Sequence, residues 1–160
     1  MKTLMLLRHA KSSWKDESLD DHERPLNKRG KRAAPLMGRL LKKEALVPDL
    51  IISSTAVRAR TTAEAVAESS GYARAVELDE ELYLAPAGKL LDVAARIPGD
   101  TVRSLLLVAH NPGMEDLVAM LSGRSERFPT AALAVFDLSV DRWRDVALGV
   151  ETRLVSLFRP

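Results

Sequence analysis

The chain has 160 residues and a mass of 17.6 kDa, enough for a hydrophobic core, and residues 1–160 read as a single domain. Its 46% hydrophobic and 29% charged residues are an ordinary globular balance, and no apolar run approaches the ~20 residues of a membrane helix. Cysteine is absent, which excludes disulfides, thiolate metal sites and cysteine nucleophiles. A net charge of +2, from 24 basic and 22 acidic residues, argues against a dedicated nucleic-acid surface.

Met1-Lys2-Thr3 leads straight into the apolar run Leu4-Met5-Leu6-Leu7, which is too short for a signal-peptide core. A cytoplasmic protein is therefore expected. The run predicts a buried strand, and it stops abruptly at Arg8-His9. In an open α/β sheet, ligands bind outside the carboxyl ends of strands, so these two residues sit where chemistry is expected. Taken alone, they are equally well read as the polar exit of a strand.

A polar stretch follows, Lys11 to Asn27, with no apolar period and several acids, among them Asp16, Asp20, Asp21 and Glu23. A loop this long is usually functional or disordered. His22, within it, reads as a solvated loop histidine. Leu36, Met37, Leu40 and Leu41 recur at helical spacing and predict a helix from about Lys28 to Glu44, whose other face is basic and solvated. Leu50-Ile51-Ile52 predicts a second buried strand, and Ser53-Ser54-Thr55 offers N-cap residues for an alanine-rich helix from Ala56 to about Ser69. Gly71 suits its C-terminus.

Val76-Glu77-Leu78 is a short strand candidate, followed by a loop through Glu80, Glu81 and Tyr83 and a helix from about Ala87 to Ile97. Ser104 to Ala109 is the clearest strand in the chain and ends at His110-Asn111-Pro112-Gly113. A helix to about Ser122 follows, with Glu115 and Asp116 in its first turn, where acids suit the dipole. Ala132–Leu138, Arg144–Leu148 and Thr152–Phe158 predict further strands. Trp14, Tyr83 and Trp143 read as core or rim packing, with a partner surface as the other use of such residues. Strands alternating with helices predict an α/β fold, a three-layer α/β/α sandwich around a mostly parallel sheet.

Three predicted strands thus end in the same kind of residue: Arg8 and His9, then Arg58 and Arg60 in the next helical turn, then His110. Arg58 is the informative one. A cation in a first helical turn opposes the macrodipole at a cost of ~0.3–1 kcal/mol, and local stability does not explain it. A bound anion does, through free N–H groups and a guanidinium fork matched to phosphate oxygens. Alone, Arg58 reads as a surface arginine; with Arg8 and two histidines at the same edge, the anion reading is preferred. Arg60, two residues on, should point away and reads as a surface residue.

Two histidines and two arginines without a metal-ligand pattern suggest phosphoryl transfer through histidine. A neutral imidazole nitrogen can attack phosphorus if arginines and N–H donors neutralise the phosphoryl oxygens.

Leu7-Arg8-His9-Ala10, Arg24-Pro25-Leu26 with Gly30, Ser54-Thr55-Ala56-Val57-Arg58-Ala59-Arg60-Thr61-Thr62 and Val108-Ala109-His110-Asn111 stand in the order of the histidine phosphatase superfamily. The chain resembles this superfamily over most of its length. Its short length and its Arg-His-Ala-Lys-Ser-Ser-Trp opening resemble the compact SixA-type branch of phosphohistidine phosphatases. The resemblance implies a phosphoglycerate mutase-like fold, His9 as the phosphorylated nucleophile, and a phosphate pocket completed by Arg8, Arg58 and His110. It implies no metal or cofactor. In much of the superfamily a carboxylate after the middle short strand protonates the leaving group. Glu81 stands at the comparable place, where a solvated loop acid is the other reading. Ala10 replaces a glycine common in the family, so φ > 0 is not expected there.

Long insertions that would roof the pocket are absent from the chain, which favours a phosphorylated protein over a small phosphorylated substrate. A small-molecule phosphomonoesterase and a non-catalytic phosphate-binding module are the alternatives. The sequence leaves the oligomeric state open.

Overall fold

A computed structural model of the protein describes residues Met1–Pro160. Strand β1 spans Lys2–Arg8, helix α1 Lys28–Lys43, β2 Leu50–Ser53, α2 Val57–Ser70 and β3 Glu77–Leu78. Helix α3 spans Ala87–Ala95, β4 Ser104–Ala109, α4 Gly113–Ser122, β5 Leu133–Leu138 and β6 Thr152–Phe158. The six strands form one sheet in the order β3-β2-β4-β1-β5-β6. The first four are mutually parallel, while β5 and β6 join antiparallel at one edge.

Period-two alternation divides the central strands between two cores. Leu4 and Leu6 of β1, with Leu105 and Leu107 of β4, pack under α3 and α4. Met5 and Leu7, with Leu106 and Val108, pack under α1 and α2. A strand buried on both faces must read as a continuous apolar run, which is why β1 and β4 are so legible. The result is the expected three-layer sandwich with a mostly parallel sheet.

Two local expectations are corrected. Arg144–Leu148 is not a strand: Trp143–Asp145 forms a 3₁₀ turn. Trp143 is fully buried there and donates from Nε1 to the Val102 carbonyl at 2.7 Å, which pins the segment to the sheet's far end. The Ser53-Ser54-Thr55 run does not cap α2 through its N-cap position, which Ala56 occupies without a side-chain bond. Ser54 Oγ instead accepts from the Ala56 N–H and turns to His110.

The long polar loop is ordered. Ser12 pairs with Leu26 in a bridge, and the Asn27 N–H donates to the Lys11 carbonyl at 3.0 Å. Gly30 in the first turns of α1 lies against that same carbonyl, where a Cβ would collide with the Lys11 oxygen. The helix start is thereby locked onto the loop that leaves β1.

Candidate active site

Strand register brings the expected groups together. Arg8 of β1 is level with Ala109 of β4, and Ser53 of β2 is level with Val108. The His9 N–H donates to the Ala109 carbonyl at 3.1 Å, and the Ser54 N–H to the Val108 carbonyl at 2.9 Å. Arg8-His9, the start of α2 and His110 therefore leave three adjacent parallel strands at one sheet edge. There Arg8, His9, Arg58 and His110 line a cavity of about 250 Å³, together with Lys11, Ser12, Trp14, Asp21, Arg24, Leu84, Asn111 and Thr130.

His9 is held in one orientation. Its Nδ1 lies 2.7 Å from the Ala10 carbonyl oxygen. A carbonyl only accepts, so Nδ1 carries the proton and Nε2 keeps its lone pair. The Ala10 N–H donates to Thr62 Oγ1 at 3.0 Å, and Thr62 donates to the Arg58 carbonyl at 2.7 Å. Thr62 thus ties the turn after β1 to the first turn of α2. Ala10 is fully buried and has no positive φ, as its side chain requires. Burial pushes the His9 pKa down to about 4; the Ala10 bond opposes this, and Arg58, Arg8 and Arg24 add to it. The ring is neutral near pH 7.

His110 Nε2 lies 2.7 Å from Ser54 Oγ. Ser54 accepts from Ala56 and has its own hydrogen to give; with that hydrogen directed to Nε2, the ring proton sits on Nδ1. Burial, with smaller effects of His9 and Arg58, pushes the His110 pKa down to about 3. The two rings lie 5.2 Å apart. His110 Nδ1 and Arg8 Nε are the buried side-chain polar atoms without a hydrogen-bond partner, and both belong to residues of this one cavity. Such atoms cost about 1–3 kcal/mol each. A ligand presenting oxygen acceptors removes that penalty.

Arg58 is only 4% exposed and forks onto Asp21, donating to its carbonyl at 2.7 Å and to Oδ2 at 3.0 Å. Asp21 also accepts from Arg24 at 3.0 Å and from the Tyr83 hydroxyl at 2.5 Å. Burial raises its pKa, but the bonds from Tyr83, Arg24 and Arg58 together carry it well below the usual carboxylate range. Arg24 in turn donates to the Ser13 carbonyl and to Ser12 Oγ, and stacks 3.2 Å from the Trp14 ring centre. The cavity therefore sets three guanidiniums and Lys11 against one ionised carboxylate.

Glu81 is not brought to this cavity. Its carboxylate pairs with Arg96 and, at 3.7 Å, with Lys89 of α3, and Arg96 above all lowers its pKa. Arg60 pairs with Glu64 on the surface, as its spacing implied. His22 departs from the solvated reading: Nε2 reaches Thr55 Oγ1 at 2.8 Å, and the ring stands edge-on to Tyr83 at 4.8 Å. Sequence reasoning gives Asp21 and Thr62 no role of their own at this site, offers Ser54 only as a helix cap and reads Tyr83 only as packing or a partner surface. Only the three-residue step from Asp21 to Arg24 hinted at one of their contacts.

Residues 4–85 match the model of the histidine phosphatase superfamily (branch 1), and the chain belongs to that superfamily. Within it the chain is of the SixA type, and by class it is a phosphatase. A protein of Agrobacterium tumefaciens that carries the SixA name superimposes with a TM-score of 0.82 at 30% identity, over 99% of this chain and 98% of that one. A second, from Nakamurella multipartita, gives 0.85 at 28% identity over 99% and 96%. An uncharacterized protein of Mycobacterium tuberculosis strain H37Rv is 36% identical over 154 residues, covering 89% of this chain and 93% of its own.

Proposed function

We propose that the protein hydrolyses phosphohistidine on a protein substrate, without a metal, through a phosphohistidine formed on its own His9. The observation that carries this reading is the His9 ring. It is neutral, its Nδ1 proton is committed to Ala10, and its Nε2 lone pair is left for a phosphorus atom held by the surrounding donors.

In the first step the Nε2 lone pair of His9 attacks phosphorus, the P–N bond to the substrate imidazole breaks, and that ring, already protonated from solvent on its other nitrogen, takes the bonding pair and leaves as neutral imidazole. Arg8, Arg58 and His110 Nδ1 neutralise the three phosphoryl oxygens as charge spreads onto them. In the second step water attacks the phosphorylated His9, the P–N bond to His9 breaks, and inorganic phosphate and the free ring are regenerated. The guanidiniums supply the positive charge that a metal provides in other phosphatases.

The acids support a nitrogen leaving group. The carboxylate that lines the cavity, Asp21, is held ionised by three donors and is a poor proton source. Glu81, which the family resemblance offered as the acid, is tied to Arg96 and Lys89. An alkoxide leaving group needs a positioned acid. A phosphohistidine ring takes a proton from solvent on its far nitrogen near neutral pH, as an imidazole with an ordinary pKa of ~6.5 does, and then leaves as neutral imidazole without a positioned acid.

The test is a hydrolysis assay on a phosphohistidine-bearing domain and on a panel of sugar phosphates and phosphoserine, with and without chelator. Turnover of the phosphoprotein that ignores chelator and far exceeds that of the esters is expected. Preferential ester hydrolysis favours a small-molecule phosphomonoesterase. Tight vanadate binding with no hydrolysis of any substrate favours a binding module.

A further inference from the structure

The basic face at the start of α1 is not used by the chemistry above. Helix α1 carries seven basic side chains and no acid. Since the whole chain is only +2, the remainder of the molecule is net negative. Lys28, Arg29, Lys31 and Arg32 are exposed and stand at the positive end of the helix dipole, an arrangement that weakens the helix. None of the four makes an ion pair. Arg60, Arg96 and Arg153 pair with Glu64, Glu81 and Asp137, whereas the exposed Arg103, Arg142 and Arg144 also lack an ion pair; the four on α1 differ in standing together on a helix without an acid.

This face adjoins the catalytic cavity. A surface groove of about 370 Å³ runs between Lys11, Arg29, Ala33, Pro129, Thr130 and Pro160. It shares Lys11 and Thr130 with the cavity that holds His9. The Gly30 contact with the Lys11 carbonyl fixes the helix relative to the cavity mouth. Of the four cations, Arg29 lines this groove, and all four line a neighbouring one with Ser13, Lys15 and Asn27, on a helix backbone held at a set distance from the nucleophile.

We propose that this face docks the protein substrate, and that the substrate is a folded domain whose surface around its phosphorylated histidine is acidic. The inference rests on the phosphohistidine-protein reading. Charge complementarity selects the occupant: a cluster of unpaired cations beside an anion pocket attracts an acidic surface and steers its approach.

The experiment compares the double variants K28E/K31E and R29E/R32E with the wild type on two substrates. One is an acidic phosphohistidine-bearing phosphotransfer domain, the other phosphoramidate, which is too small to reach α1. Placing glutamate in the first turns of a helix favours its dipole, so the fold is expected to hold, and circular dichroism checks this. The expected result is a KM for the phosphoprotein raised about tenfold or more with kcat little changed, together with loss of its salt dependence, while kcat/KM for phosphoramidate stays within about twofold. Unchanged KM for the phosphoprotein in both variants overturns the docking face, as does an equal loss on both substrates. Variants that lose affinity for RNA or for anionic vesicles but keep that KM assign the face to another polyanion and also overturn it. A wild type inert to the phosphoprotein but active on phosphoramidate instead defeats the substrate reading on which the proposal rests.

Discussion

Two cavities of the molecule invite comparison. The one around His9 encloses about 250 Å³, and a second, between β2, β3 and α3, encloses about 330 Å³. The larger is lined by Leu50, Ile52 and Val93 and by two arginines, Arg74 and Arg96, set against Glu77 and Asp79. Its charges cancel: Arg96 reaches Asp79 at 3.8 Å, and Arg74 donates to the Asp49 carbonyl. The smaller cavity holds an excess of cations, two neutral imidazoles and two polar atoms without partners. Size does not make an anion site. Uncompensated positive charge does, when the fold holds it in place and leaves donors unspent. Glu81 pairs with Arg96, which lines the larger, balanced cavity, and this is why it has no place in the proposed chemistry.

Substitutions sharpen this contrast. The largest effect is expected for His9→Ala, which should abolish the phosphoenzyme and lower turnover by ~10³-fold or more. Arg58→Ala should cost ~10²–10³ in kcat/KM, read by steady-state kinetics, because it removes a donor matched to the transition-state oxygens. Asp21→Asn removes the charge that orients Arg58 and Arg24. A fall of roughly tenfold in kcat/KM is expected, with about 1 kcal/mol of stability lost in denaturant titration; Asp21 is 40% exposed, and solvent screens the pair. Glu81→Gln, in the other region, should leave kcat/KM within about twofold. A loss there as large as that for Arg58 would break the comparison.

The buried imidazoles also set a pH window. Their folded pKa values, about 4 for His9 and about 3 for His110, lie below the ordinary 6.5. Below pH 6.5 the unfolded chain takes up protons that the folded protein refuses, so stability is lost as pH falls from 6.5 toward 4. Thermal melts across that range should show a falling Tm, and the fall should shrink in His110→Gln. A Tm unchanged down to pH 4 would contradict the neutral, buried rings.

Much of this was legible in the sequence for a physical reason. Strands β1 and β4 are buried on both faces, so their apolar runs are local signals, and the polar residues that end them were placed at one edge by the parallel topology alone. Arg8, His9, Arg58 and His110 followed from that. What stayed hidden depends on long-range contacts. Asp21 takes its importance from Arg58 and Tyr83, 37 and 62 residues away. Trp143 turns its segment away from strand geometry through a bond to Val102, 41 residues back. Ser54 looked like a cap because its local chemistry is that of one, and only the neighbouring strand end gave it His110 instead.

The account depends most on His9 Nε2 being the atom that receives the phosphoryl group. Rapid quenching during turnover, followed by peptide mapping under alkaline conditions, tests this directly. The account predicts an acid-labile, alkali-stable phosphate on the peptide that contains His9, absent from His9→Ala. Turnover that persists with no phosphate on that peptide, or with phosphate on another residue, would contradict it.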